Sequence, residues 1–242
     1  MIDHVGISLP SLDEGRRFYG QALELLGFVG EPADGGWFVE WTDFAIGEAT
    51  TSRPVTRRLH VGFAAESPEA VDAWWEALTA AGHPSDGAPG PRPAYGPDYY
   101  GAFVLDPAGN SVEAVNNGPR RQPGVIDHLW LRTADLEAAS RFYEAVCPAV
   151  EHTVERYEGR TQIRGSGATF SLVEGPPTEN LHLAFAARDP EAVEAFHRAG
   201  VEAGYVSNGE PGERPEYHPG YIGSFLLDPD GHNIEAVFHD RR

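Results

Sequence analysis

The chain has 242 residues and a formal net charge of −19, and all 18 of its basic residues are arginine. That balance excludes nucleic acid and anionic membranes as partners, because phosphate neutralisation needs basic clusters; the lack of lysine excludes Schiff-base catalysis and a lysine-bearing P-loop. One cysteine, Cys147, excludes an intrachain disulfide and a cysteine-rich zinc site, while 41% hydrophobic residues suffice for the cores of one large or two ordinary domains. No run is apolar for long enough to cross a bilayer, and the N-terminus lacks the basic and apolar regions of a signal peptide. The expected location is cytoplasmic.

Residues 2–9 alternate, with Val5, Ile7 and Leu9 on one face and His4, Gly6 and Ser8 on the other, which predicts a strand. A helix follows: Ser11 and Glu14 have capping-box spacing, and Phe18, Ala22 and Leu26 recur at helical intervals up to Gly27. Short strands are expected near Val29, at 37–41 and at 44–46. The order then restarts with a strand over 59–64 carrying His60 and Gly62, and a helix opened by Ser67-Pro68 and closed at Gly82. The Gly/Pro-rich stretch 87–98 leads into residues 95–115, YGPDYYGAFVLDPAGNSVEAV.

That stretch occurs twice. Residues 217–237 read YHPGYIGSFLLDPDGHNIEAV, identical at 12 of 21 positions at an offset of 122. In each copy a Leu-Asp-Pro-x-Gly turn joins two apolar runs, with Pro107 or Pro229 pre-setting the turn and Gly109 or Gly231 supplying positive φ. The rest of the programme repeats as well. IDHLWLR at 126–132 matches the opening strand, Arg141-Phe142-Tyr143 matches Arg17-Phe18-Tyr19, LHLAFA at 181–186 matches LHVGFA, and Asp189-Pro190 replaces Ser67-Pro68. The chain therefore divides into a first domain over 1–118, a linker over 119–124 and a second domain over 125–242, each of two βαβββ-like units in an α+β fold.

The second apolar run of each hairpin encloses one glutamate, Glu113 or Glu235. A carboxylate inside such a run must be paired, protonated or bound to a cation. Matching histidines lie on strands in both halves, which gives two sets in chain order: His4, His60 and Glu113, then His128, His182 and Glu235. Two imidazoles and a carboxylate can occupy one face of a divalent ion and leave places open, an arrangement suited to Fe(II); Mn²⁺, Zn²⁺ and Ni²⁺ fit the same set. The sequence leaves open whether each set belongs to one half or whether the halves exchange units, joining His4 to His182 and Glu235. Gly6, Ser8, Gly62 and Ala64 leave a cavity on the ligand face of the first half; the second has Ala184 and Ala186 but also Trp130 and Arg132. His218, with Gly96 at the matching position, is a candidate acid or base. Tyr99 and Tyr221, with Tyr95 and Tyr217, are candidate donors to an anionic substrate oxygen.

On these residues the chain resembles the vicinal oxygen chelate superfamily, which includes glyoxalase I, fosfomycin-resistance transferases, bleomycin-resistance proteins and extradiol dioxygenases. The resemblance covers nearly the whole chain. It implies tandem domains in which paired βαβββ units curl a mixed sheet into a cup, with metal ligands at His4, His60, Glu113, His128, His182 and Glu235. Glyoxalase I has a further glutamate ligand, for which Glu48 and Glu174 stand two residues late. His218, Asp228, Pro229, Gly231 and Glu235 follow the extradiol outline, with Phe225 where that outline has tyrosine. The implied function is a metal-dependent enzyme that binds adjacent oxygens of a small molecule, with dioxygenase chemistry on Fe²⁺ ahead of an isomerase or lyase. A sequestering protein with an aromatic cup (Trp37, Trp41, Trp130) is the non-catalytic alternative. The expected assembly is a monomer acting as a pseudo-dimer, or a homodimer.

Overall fold

Four βαβββ modules follow one another along the chain. A computed structural model describes residues 1–28, 30, 32–118 and 124–240. The first module holds Ile2–Leu9 (β1), Leu12–Leu25 (α1), Ala33–Asp34 (β2), Phe38–Trp41 (β3) and Phe44–Glu48 (β4). The second holds His60–Ala64 (β5), Pro68–Ala80 (α2), Ser85–Pro91 (β6), Tyr100–Leu105 (β7) and Ser111–Asn116 (β8). Ile126–Thr133 (β9), Leu136–Val146 (α3), Thr153–Tyr157 (β10), Arg160–Arg164 (β11) and Thr169–Glu174 (β12) make the third, with a 3₁₀ turn at Cys147–Val150 after the helix. The fourth comprises His182–Ala186 (β13), Pro190–Glu202 (α4), Val206–Glu213 (β14), Tyr221–Leu227 (β15) and Asn233–His239 (β16).

The helices begin where their caps require. The Ser11 hydroxyl accepts from the Glu14 amide, Ser67 from Ala70, Asp135 from Ala138 and Asp189 from Ala192, and proline stands in the first turn of α2 and α4. None of these helices is long and apolar enough to cross a membrane. The strand expected near Val29 and most of the linker expected at 119–124 lie outside the described residues. The Gly/Pro-rich stretch read as a lead-in holds strand β6, where Pro89 and Pro91 are tolerated because, among the described residues, β6 is an edge strand beside β7 with an irregular register.

Two compact units emerge, and they do not coincide with the sequence halves. One comprises Met1–Gly6 and Leu131–Arg242, the other Ile7–Trp130; below they are the C-unit and the N-unit. In the C-unit the sheet order is β14-β15-β16-β13-β1, with β13 and β16 parallel and the other pairs antiparallel. In the N-unit it is β6-β7-β8-β5-β9, with β5 and β8 parallel. Each unit is thus an α+β domain on a mixed sheet, completed by an opening strand, β1 or β9, contributed by the other sequence half.

Both hairpin turns are tied to a helix. In the N-unit the buried Asp106 carboxylate accepts from the Ala108 and Asn110 amides (2.8 Å each) and from the Tyr19 hydroxyl of α1 (2.8 Å). In the C-unit Asp228 accepts from the Asp230 and His232 amides and from the Tyr143 hydroxyl of α3. Gly109 and Gly231 adopt φ of +81° and +85°, as the turn demands. This anchoring holds β8 and β16, the strands with the buried glutamates, against their helical layer.

Candidate metal centres

Register brings three side chains of each unit together. In the C-unit His4 on β1 lies opposite Ala184 on β13, and Ala184 lies beside Glu235 on β16; His182 precedes Ala184 by two residues on the same face. In the N-unit His128 on β9 lies opposite Gly62 on β5, Gly62 beside Glu113 on β8, and His60 two residues earlier. The groups are therefore His4, His182 and Glu235, and His128, His60 and Glu113. Of the two groupings that the sequence leaves open, this is the exchanged one, with His4 beside His182 and Glu235 and His128 beside His60 and Glu113.

The separations are short. In the N-unit His60 Nε2 lies 3.0 Å from Glu113 Oε2 and 3.3 Å from His128 Nε2, which is itself 3.3 Å from the same oxygen. In the C-unit His4 Nε2 and His182 Nε2 are 3.0 Å apart and lie 3.8 and 3.1 Å from Glu235 Oε2. Both glutamates are 1% exposed.

Partners outside each cluster fix which lone pairs face inward. His128 Nδ1 lies 3.0 Å from the Asp127 carboxylate and His4 Nδ1 2.8 Å from that of Asp3; a carboxylate accepts, so each Nδ1 carries the hydrogen and each Nε2 a lone pair. Ser111 donates its own hydrogen to Asp86, so its oxygen accepts from His60 Nδ1 at 3.2 Å. His182 Nδ1 lies 2.9 Å from the Asn233 side-chain amide nitrogen, a donor, and 3.2 Å from the Asn233 carbonyl, an acceptor, so its contacts suit either tautomer. Tyr99 and Tyr221 donate their hydroxyls to Glu113 and Glu235 at 2.8 and 2.7 Å, which leaves the other carboxylate oxygen for the cluster. With the hydrogen on Nδ1 of each histidine, three acceptors converge in each unit.

Such a donor set fits a divalent cation. Imidazole–metal bonds of about 2.1 Å at right angles place two nitrogens about 3.0 Å apart, the separation of His4 and His182; His60 and His128 are 3.3 Å apart. A proton can take the place of a cation here. Burial pushes Glu113 up, but hydrogen bonds from His128 and His60, when their Nε2 atoms carry hydrogen, outweigh it and hold the carboxyl at about 2. Burial likewise pushes His128 down, and Asp127 and Glu113 outweigh it, raising the imidazole to about 9. The site favours positive charge. Burial and the adjacent glutamates push the Tyr99 and Tyr221 phenols far up, so both remain donors.

His218 does not touch a cluster residue in the hydrogen bonds it makes; it is half-buried, bonded to the Pro219 carbonyl and to His239. Glu48 and Glu174 are exposed at the ends of β4 and β12 and belong to neither group. Asp3 and Asp127 went unnoticed in the sequence. Each is the extra residue of a β-bulge, between the pairs Ile2–Phe185 and His4–Ala184 or between Gly62–His128 and Phe63–Ile126. A bulge turns successive side chains toward one face, so aspartate and histidine meet. The signal was the repeated Ile-Asp-His. The surroundings differ: Trp130 lies opposite His60, with the Tyr95 ring 6.2 Å from it and Phe103 5.8 Å from His60, whereas Gly6 lies opposite His182.

A family model described as the Glyoxalase/Bleomycin resistance protein/Dioxygenase superfamily matches residues 1–114 and again 125–236. Among solved structures, glyoxalase I from Zea mays aligns over 98% of this chain and 92% of its own at 18% identity, with a TM-score of 0.70. A putative dioxygenase from Bacillus subtilis subsp. subtilis str. 168 aligns over 99% of this chain and 85% of its own at 14% identity, with a TM-score of 0.67. At such identities the likeness is one of fold. A comparison with curated proteins returned no match.

Proposed function

The chain belongs to the glyoxalase/bleomycin resistance protein/dioxygenase superfamily, and from that premise we propose that it is a cation-dependent enzyme acting on a small molecule with two adjacent oxygens. The observation that carries this reading is the convergence of three possible ligand atoms in each unit, from His4, His182 and Glu235 in one and from His60, Glu113 and His128 in the other. A divalent cation held there supplies Lewis acidity that draws charge onto the substrate's adjacent oxygens. The protein does the rest. Asp3 and Asp127 hold two imidazoles in the binding tautomer, and Tyr99 and Tyr221 keep the glutamates from turning. Three protein ligands leave room for both substrate oxygens and one further small ligand.

Within this reading, oxygenase chemistry with Fe²⁺ leads, because two histidines and one carboxylate on one face are the set that non-haem Fe(II) oxygenases use. The exposure of Glu48 and Glu174 argues against a fourth protein ligand and so weighs against an isomerase that needs one. His218 remains the acid–base candidate in the loop before β15, although both its ring nitrogens are engaged, by the Pro219 carbonyl and by His239.

The test is metal content of anaerobically purified protein, wild type beside Glu113→Gln and Glu235→Gln. Two ions per chain are expected, falling to one in each variant. Iron, with oxygen uptake on a catechol-type substrate, supports the oxygenase; zinc, manganese or nickel without oxygen uptake supports an isomerase or lyase. Protein that takes up no cation after reconstitution is a sequestering protein.

A further inference from the structure

The C-unit carries imidazoles the cluster does not use. His239 Nε2 lies 3.2 Å from both Asp3 oxygens, and His239 Nδ1 lies 2.9 Å from His218 Nε2. The Pro219 carbonyl, 2.8 Å from His218 Nδ1, closes the chain at the surface. Asp3 at the inner end holds His4. His239 follows Glu235 by four residues on β16 and so shares its face; its ring also packs edge-on against Tyr221, 5.1 Å between centroids.

The Pro219 carbonyl and the Asp3 carboxylate only accept, so His218 Nδ1 donates to the first and His239 Nε2 to the second. At the repeat offset of 122 the N-unit has Gly96 and Asn117 at these positions, so neither imidazole exists there.

We propose that His239, backed by His218, is a positioning residue that pins the Asp3 carboxylate on His4 and so tunes the C-unit cluster alone. The inference rests on the cation-site reading above, and names the residues that make its two sites unequal. A carboxylate anchored from both sides cannot rotate off His4 Nδ1, so His4 stays in the tautomer that presents its Nε2 lone pair.

The test uses Co²⁺ as probe. In a Glu113→Gln background, which leaves only the C-unit cluster, His239→Asn is expected to weaken Co²⁺ binding by roughly 10- to 100-fold, the range for losing an outer-shell partner. His239→Gln, whose longer amide still offers an N–H donor toward Asp3, is expected to recover most of that loss. In a Glu235→Gln background His239→Asn should leave Co²⁺ binding unchanged; a change there would mean a general structural effect and overturn the proposal. ¹⁵N spectra of the cation-free proteins supply a readout independent of any ion. His4 is expected as a single Nδ1–H tautomer in the Glu113→Gln parent and as a mixture after His239→Asn. Unchanged affinity together with an unchanged tautomer overturns the proposal. If the parent takes up no Co²⁺, the cation-site reading fails for this unit, and the positioning role is then decided by the spectra alone.

Discussion

Asn110 and His232 occupy the same place in the two units. Asn110 accepts from the Leu59 amide at 3.1 Å and donates to the Thr56 carbonyl and Asp106 at 3.1 and 3.0 Å. His232 accepts from the Leu181 amide at 3.3 Å through Nδ1, so its hydrogen sits on Nε2, which is buried without a hydrogen-bond partner among the described residues. A buried unsatisfied donor costs about 1–3 kcal/mol. His232→Asn is therefore expected to stabilise the protein by about 1 kcal/mol, seen as a higher urea midpoint at unchanged slope; an unchanged or lower midpoint refutes it. His152 presents a second orphaned nitrogen and is 4% exposed, and burial lowers its pKa to about 4. Between that value and the ordinary one near 6.5 the unfolded chain binds a proton that the native chain does not. Stability thus falls as pH drops through this window, by about 2 kcal/mol at pH 5 and about 3 kcal/mol at its acid end. The position matches Phe28 in the first half, so His152→Phe should fold and flatten this part of the stability–pH curve. Equal slopes for wild type and variant would show that another group titrates there.

Among the elements, the strand between the two outer ligands governs how closely they approach. A Cβ on Gly62 would lie 2.4 Å from the His128 ring, so the N-unit cluster closes only because that residue has none. The C-unit has Ala184 at this place, and its corresponding His–Glu separation is 3.8 Å rather than 3.3 Å. Gly62→Ala is expected to leave the fold intact, to move His128 outward and to weaken cation binding in the N-unit by about tenfold or more. Titration with Co²⁺ in the Glu235→Gln background checks this, and undiminished affinity would show that the ring has free room. These strands also show what was legible beforehand. Alternation and the repeat exposed all four histidines and both glutamates, since each has a copy in register. Asp3 and Asp127 were hidden because strict alternation sends neighbours to opposite faces, and a bulge leaves no mark in that pattern. His239 was hidden because its copy is Asn117, just beyond the repeated 21 residues. The role of Tyr99 and Tyr221 depended on a hydroxyl direction that spacing does not carry.

At the scale of the whole molecule, the grouping of ligands was out of reach because it depends on which β5-like strand each Ile-Asp-His strand joins. Both opening strands carry the same three residues, so the chain-order pairing and the exchanged pairing satisfy the sequence equally. The exchange has a consequence for fragments. Residues 1–118 retain His60, Glu113 and Tyr99 but lose β9, so β5 is left with an open edge and the cluster lacks its second histidine. The same fragment keeps β1, whose partner strand β13 is absent. An open edge with unpaired amides recruits a strand of matching pattern, and the β1 of a second copy has that pattern, including Asp3 and His4. The fragment is therefore expected to dimerise by mutual exchange of β1, placing His4 of one copy with His60 and Glu113 of the other. Gly6 would then replace Trp130 opposite His60 and open that side of the cluster. Sedimentation with Co²⁺ titration checks this: binding should appear only as the dimer forms, with two ions per dimer, and His4→Ala should abolish it. A monomeric fragment that binds one ion at every concentration would show that His60 and Glu113 recruit a third ligand from their own half.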